Sequence, residues 1–165
     1  MTDAAEQATA LNTSELLQLI DARFDEASPE RVSGTIAADE RHHQPWGLVH
    51  GGLYTAAIET FATIGAYQSA NERGQQVVGV SNSTDFVRPH RAGRLRVTAA
   101  PIHQGRSYQL WEVEIRRPDD ETLIARGQVR QHHVDPESGP GPRCGRWTRE
   151  EVRRWPVRQP PRPRR

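Results

Sequence analysis

Between Gly52 and Ala70 the chain carries Leu53, Tyr54, Ala56, Ala57, Ile58, Phe61, Ala62, Ile64, Ala66 and Tyr67, which together cover nearly every direction round a helical axis. A helix that is apolar on almost all sides has no face to offer water, so other structure must wrap it. The wrapping is legible downstream. Four runs at about 76–87, 94–103, 107–117 and 122–133 alternate in the manner of strands. Trp111, Val113 and Ile115 share a face opposite Glu112, Glu114 and Arg116, and Leu123, Ala125 and Val129 oppose Ile124, Arg126 and Arg130. Pro89 to Gly93, Gln104-Gly105-Arg106 and Pro118-Asp119-Asp120 supply turn chemistry between the runs. A further strand is read at Arg31–Ala38. The expected architecture is α+β, an antiparallel β-sheet wrapped around one long central helix. Upstream, Asn12 with Glu15 reads as a capping box and Leu11 with Leu16 as its staple. They predict a helix over about 13–25 with Leu16, Leu17, Ile20 and Phe24 on one face.

Composition divides the chain. Apolar residues are only 35% of the whole, so a core requires that they be concentrated. Residues 135–165 hold seven of the twelve prolines and nine of the 22 basic residues, all Arg, against four acids. That tail is +5 and the remaining 134 residues are −4. The expected organisation is a flexible N-terminus at 1–12, one domain at 13–134, and a Pro/Arg-rich tail at 135–165. A short helix is expected in the tail at about 149–155, from Thr148 with Glu151. An acidic body argues against nucleic acid as the main partner, since phosphate binding needs a basic face. A lone cysteine, Cys144, excludes a disulfide framework and any multi-thiolate metal site. The start has no basic region followed by an apolar run, and no stretch reaches the roughly 20 apolar residues of a membrane span. A cytoplasmic location is expected.

The central segment carries one charge. From Gly51 to Asn71 only Glu59 is ionisable as an acid or base of the Asp, Glu, Lys, Arg class, and a carboxylate in apolar surroundings needs compensation. Thr63 lies four residues on, on the same helical face, where a hydroxyl could hold the carboxylate or a water. Gly51 and Gly52 open the helix directly after His50, where first-turn N–H groups are free and the dipole is positive. Free amides plus a carboxylate are the minimum equipment for attack on an acyl carbonyl. Gly51 and Glu59 are eight residues apart, roughly 12 Å along the axis at about 1.5 Å per residue, so one protomer cannot bring both to one carbonyl. Two helices packed antiparallel about a two-fold axis can, which predicts an isologous dimer with two composite sites.

These residues carry a resemblance. Gln44-Pro-Trp46-Gly-Leu-Val-His50-Gly-Gly followed by Glu59 resembles the hotdog-fold acyl-CoA thioesterases of the Arthrobacter-type 4-hydroxybenzoyl-CoA and phenylacetate-pathway family. With Val77-Val-Gly-Val, Asp85-Phe-Val-Arg88, Pro101-Ile-His103-Gln-Gly105-Arg106 and Gln109-Leu-Trp-Glu-Val-Glu-Ile115, the chain is most similar to the 1,4-dihydroxy-2-naphthoyl-CoA thioesterases of menaquinone biosynthesis, over about residues 14–133. The resemblance implies that Glu59 is the nucleophile or the general base. It implies that the Gly51 N–H polarises the thioester carbonyl, that Gln44 contacts the carbonyl or orients the water, and that His50 shapes the loop. Thr63 stands where the family has Ser or Thr near the carboxylate. Arg88, His103, Gly105, Arg106 and Ser107 would meet the CoA nucleotide, and Trp46, Tyr54, Ile58 and Phe61 would wall the acyl pocket. No metal and no cofactor beyond the substrate's own coenzyme A are implied. The expected partners are an acyl-CoA and further copies of the chain, as a dimer or dimer of dimers (a homotetramer), with no nucleic acid or membrane.

Two other functions fit parts of the sequence. Asp85 and His90 have the spacing of hotdog hydratases, and an acyl-CoA sensor would keep the pocket without turnover. His42-His43 and His132-His133 are expected as exposed polar residues rather than a metal site, since neighbours on a strand face opposite sides. The run Gly79-Val-Ser-Asn-Ser is not a serine-hydrolase elbow.

Overall fold

The computed structural model describes residues 15–135. The expectations for the N-terminus at 1–12 and for the tail beyond Asp135, with its helix at about 149–155 and Cys144, lie outside the described residues. In chain order the elements are α1 (Glu15–Leu19), β1 (Arg23–Ala27), β2 (Val32–Ala38), a single 3-10 turn (Glu40–His42), α2 (Gly51–Asn71), β3 (Gln76–Phe86), β4 (Gly93–Gln104), β5 (Tyr108–Arg116) and β6 (Leu123–Val134).

The six strands form one antiparallel sheet in the order β1-β2-β4-β5-β6-β3. Helix α2 packs across it. Ala57, Ile58, Phe61, Ala62 and Ala66 are completely enclosed, as are Leu95, Val97, Trp111, Val113 and Ile115 from the strands. The alternation read from the sequence is the alternation observed on β2 and β5, because one face of each strand meets the helix. The helix lies close to the sheet at Gly65, where an added Cβ would stand 2.3 Å from the Trp111 ring. Beside it Trp111 Nε1 donates to Gln109 Oε1 at 2.8 Å, and Gln109 Nε2 donates to Ser69 Oγ at 2.7 Å.

Three expectations are corrected. The helix over about 13–25 is a single short α1; Asp21 takes φ 44°, a left-handed conformation that ends it. Arg23–Ala27 is then strand β1, paired with β2. Phe24 fits both the helical and the alternating pattern, and in the strand that pairs with β2 it is buried with Ala22 and Ala27. On β6, Ile124 is buried along with Ala125, at the end where β5 and β6 shift register between Ile115 and Arg116. His42 and His133 are buried, not exposed. His42 Nδ1 accepts from the Asp39 N–H at 3.0 Å and its Nε2 donates to Leu19 O at 2.8 Å. His133 bridges Gln109 Nε2 (2.9 Å) and Arg106 O (2.8 Å). Both are structural pins.

Strand β3 is an edge of the sheet, eleven residues long, with Val78 and Val80 about half exposed or more. A long, apolar, unpaired edge is a template for another strand.

Candidate active site

The loop before α2 is folded back on itself. The Gln44 N–H donates to Leu48 O at 2.8 Å and the Gly47 N–H to Gln44 O at 3.0 Å, with Gly47 at φ 71°. His43 and Val49 form an isolated β-bridge. His50 is then the N-cap of α2, and its Nδ1 accepts the Gly52 N–H at 2.9 Å. With Nδ1 accepting, the ring proton resides on Nε2. The cap satisfies Gly52 and leaves the Gly51 N–H, at the positive end of the helix dipole, without a hydrogen bond among the described residues.

That amide opens on a cleft of about 450 Å³ that brings together Gln44, His50, Gly51, Tyr54, Phe86 and Arg88. The Phe86 ring lies against Gly51, where an added Cβ would stand 2.5 Å from the ring. Tyr54 is buried, its ring centroid 6.1 Å from that of Phe86. Burial pushes the Tyr54 hydroxyl up to about 12, so it remains a neutral phenol.

Glu59 is not in this cleft. It sits two turns further along α2, half-buried against β3. Asn82 Nδ2 donates to Glu59 Oε2 at 3.1 Å, and Glu59 Oε1 lies over Gly79. Thr63 is on the expected face, but its hydroxyl accepts from Gln131 Nε2 at 2.7 Å, and no Glu59–Thr63 hydrogen bond forms among the described residues. Ile58 and Phe61, expected as pocket walls, are inside the protomer core; Phe61 packs on Phe24 with centroids 4.7 Å apart. Neither lines the cleft. Trp46 is 78% exposed on the loop, outside the cleft.

The residues expected at the CoA nucleotide fall into two groups. Arg88 lies beside the start of β6, with its guanidinium near Leu123 O. His103, near the end of β4, and Gly105, Arg106 and Ser107, in the turn to β5, make the second group, held by the Gly105 N–H to Tyr108 O at 2.9 Å and the His133 N–H to Ser107 O at 2.9 Å. The nine-residue strand β5 separates the groups, roughly 25–30 Å at strand rise. The rival hydratase pair is also apart, because Asp85 and His90 line different clefts.

Sequence reasoning missed Asn82 and Gly79 as neighbours of Glu59. Both lie in the run Gly79-Val-Ser-Asn-Ser, whose glycine and amide acquire their meaning only when the strand returns beside the helix. No group of three or more potential metal-ligating side chains occurs among the described residues, nor does any helix long and apolar enough to cross a membrane.

A long helix seated on an antiparallel sheet is the hotdog arrangement, and known proteins of this shape make the chain a thioester hydrolase. Rv1847 of Mycobacterium tuberculosis is 40% identical over 115 residues, 68% of this chain and 81% of that protein. Its solved structure superposes with a TM-score of 0.69, covering 72% of this chain and 94% of that one. The 1,4-dihydroxy-2-naphthoyl-CoA hydrolase of Escherichia coli is 32% identical over 110 residues, 67% of this chain and 80% of it. The structure of thioesterase HI1161 from Haemophilus influenzae gives a TM-score of 0.74 at 25% identity, covering 82% and 93% of the two chains. The chain belongs to the Thioesterase superfamily, whose family model matches residues 47–124.

Proposed function

We propose that the protein hydrolyses an acyl-CoA thioester to the free acid and CoA at a site shared by two protomers, with a flat aromatic acyl group such as 1,4-dihydroxy-2-naphthoyl. The observation that carries this reading is the separation of the two reactive parts. The free Gly51 N–H and the Glu59 carboxylate lie on one rigid helix, eight residues apart, and each is locked by contacts of its own. The exposed β3 edge offers the means of pairing. Two protomers joined there about a two-fold axis would set one helix's Glu59 near the other's Gly51. The same pairing would let Arg88 of one protomer and the His103–Ser107 turn of another reach one nucleotide, and a dimer of dimers extends the scheme. The aromatic preference rests on Tyr54 and Phe86 in the cleft, and on the named substrate of the Escherichia coli relative. The reading places the chain in the cytoplasm, in menaquinone biosynthesis, with no cofactor of its own.

In the chemistry, the thioester oxygen accepts from the Gly51 N–H, which meets the negative charge that develops there. Gln44, on the same rim, holds the carbonyl or the water. In the general-base route Glu59 takes a proton from water while the water oxygen bonds to the acyl carbon. The tetrahedral species then breaks its C–S bond, and the thiolate leaves with the proton from Glu59. In the nucleophilic route a Glu59 oxygen bonds to the acyl carbon, thiolate departs and takes a solvent proton, and water cleaves the anhydride. Label from ¹⁸O-water appearing in Glu59 after a single turnover establishes the nucleophilic route, since it enters only when water cleaves the anhydride at the Glu59 carboxyl carbon.

Subunit mixing tests the shared site. Glu59→Ala and Gly51→Val proteins, each impaired alone, should regain about a quarter of wild-type turnover after joint refolding, because half of random dimers are mixed and each holds one intact site of two. No recovery would place both groups in one protomer's site and end the two-protomer scheme. Thiol release from dihydroxynaphthoyl-, benzoyl-, phenylacetyl- and fatty acyl-CoA ranks the substrates. Hydration of crotonyl-CoA without any thiol release would replace hydrolysis with the hydratase reading, and binding without turnover would make the chain a sensor.

A further inference from the structure

Strand β3 is irregular where it passes Glu59. Its pairing with β6 shifts register between Gly79 and Ser81, which makes Val80 an extra residue. In a regular strand Gly79 and Asn82, three positions apart, would face opposite sides of the sheet. The bulge turns both toward α2, a known use of bulges beside reactive groups. An added Cβ on Gly79 would stand 2.1 Å from Glu59 Oε1, while Asn82 Nδ2 donates to Glu59 Oε2 at 3.1 Å.

Asn82 is itself held at two further points. Its Nδ2 also donates to Thr55 O, 3.1 Å away and one turn before Glu59. Its Oδ1 accepts from Thr84 Oγ1 at 2.7 Å. A hydroxyl donating to the oxygen and two acceptors at the nitrogen fix which way round the amide sits. The amide therefore grips both the carboxylate and the helical turn that carries it.

We infer that Asn82, aimed by the β3 bulge, is a positioning residue that holds Oε2 of Glu59 and leaves Oε1 as the reacting oxygen. The two oxygens of a free carboxylate are equivalent, and a glutamate side chain rotates about three bonds. Pinning one oxygen removes that freedom before the substrate arrives, and catalysis by orientation depends on such restraint. Oε1 makes no hydrogen bond among the described residues. It lies over Gly79 on the edge strand, in the space that a side chain at that position would fill. The two hydroxyls one turn to either side on this face of α2 do not compete: Thr63 accepts from Gln131 Nε2 and Thr55 donates to Gly51 O. The inference rests on Glu59 being the reacting carboxylate.

A double-mutant cycle on benzoyl-CoA hydrolysis tests it. Asn82→Leu should lower kcat on the order of 10- to 100-fold with KM changed by less than about two-fold, as expected when a reacting group is misplaced while substrate binding stays intact. In a Glu59→Gln background the same change should cost less than about two-fold, because Asn82 acts only through that carboxylate. An Asn82→Leu enzyme with unchanged kcat overturns the inference, as does an equal fall in both backgrounds. Crystal structures of wild type and Asn82→Leu supply an independent readout. A Glu59 side chain that keeps its rotamer without Asn82 also overturns it; one that swings away supports it. Absence of thioester turnover in the wild type would instead strike the proposed function, and the structures would still decide the role of Asn82.

Discussion

The two ends of the stretch of α2 proposed to be reactive are built in different ways. At Gly51 the chemistry belongs to the backbone: a helix start, a histidine cap that occupies the neighbouring amide, and a folded loop that closes over them. At Glu59 it belongs to side chains, and the restraint comes from a strand distant in sequence, through Asn82 and the space over Gly79. The amide and its cap are set by residues 43–54, with Phe86 and Arg88 completing the cleft in front of them, whereas the carboxylate gains its restraint only when β3 returns along the helix. A helix start is positive wherever it occurs, whereas a half-buried carboxylate needs a partner delivered to it.

Substitutions can break this contrast, beginning at the carboxylate end. Glu59→Ala should reduce turnover by at least ~10²-fold, on the scale of removing an acid–base group, measured as thiol release at saturating acyl-CoA. Unchanged turnover would remove Glu59 from the chemistry. Gly79→Ala places a methyl on the Oε1 side and should cost on the order of ten-fold in kcat, through displacement of the carboxylate. At the amide end, His50→Ala frees the Gly52 N–H and removes the cap. It should destabilise the protein by about 1 kcal/mol in urea unfolding, with a smaller kinetic effect than either change near Glu59.

The smallest effect concerns His90, which lies outside both halves. Burial, with the Arg117 charge adding to it, holds its imidazole below the ordinary histidine value of 6.5. Between the folded and unfolded values the unfolded chain binds the extra proton, so stability rises with pH across that window. The protein should lose stability as pH falls below about 6.5. His90→Phe should flatten that part of the profile in thermal melts at a series of pH values, and an identical slope in the variant would remove His90 as its source.

Much of the fold is legible in the sequence because burial imposes periodicity. The all-round apolar segment announces a wrapped helix, and the alternation of Trp111, Val113 and Ile115 announces strands that face it. Phe24 defeats the same reasoning, since its spacing suits a helix as well as a strand and only pairing with β2 resolves it. His42 and His133 escape it because a histidine's burial depends on which carbonyls and amides fold against it. At the site, Gly51 and Glu59 can be named from local pattern, while Gln44 and His50 come with the family resemblance. Asn82 cannot, for a bulge leaves no mark on hydrophobic alternation when the strand lies at an exposed edge.

The sequence alone determined a central helix with a free amide at its start and one carboxylate eight residues on, because helical geometry is local and its rise per residue is constant. The tertiary structure decided which oxygen of that carboxylate is held, which amide the histidine cap leaves open, and that β3 lies at an edge of the sheet. Those outcomes depend on register and on residues far apart in the chain, and a shift of a single residue in β3 is enough to turn Asn82 toward the helix or away from it.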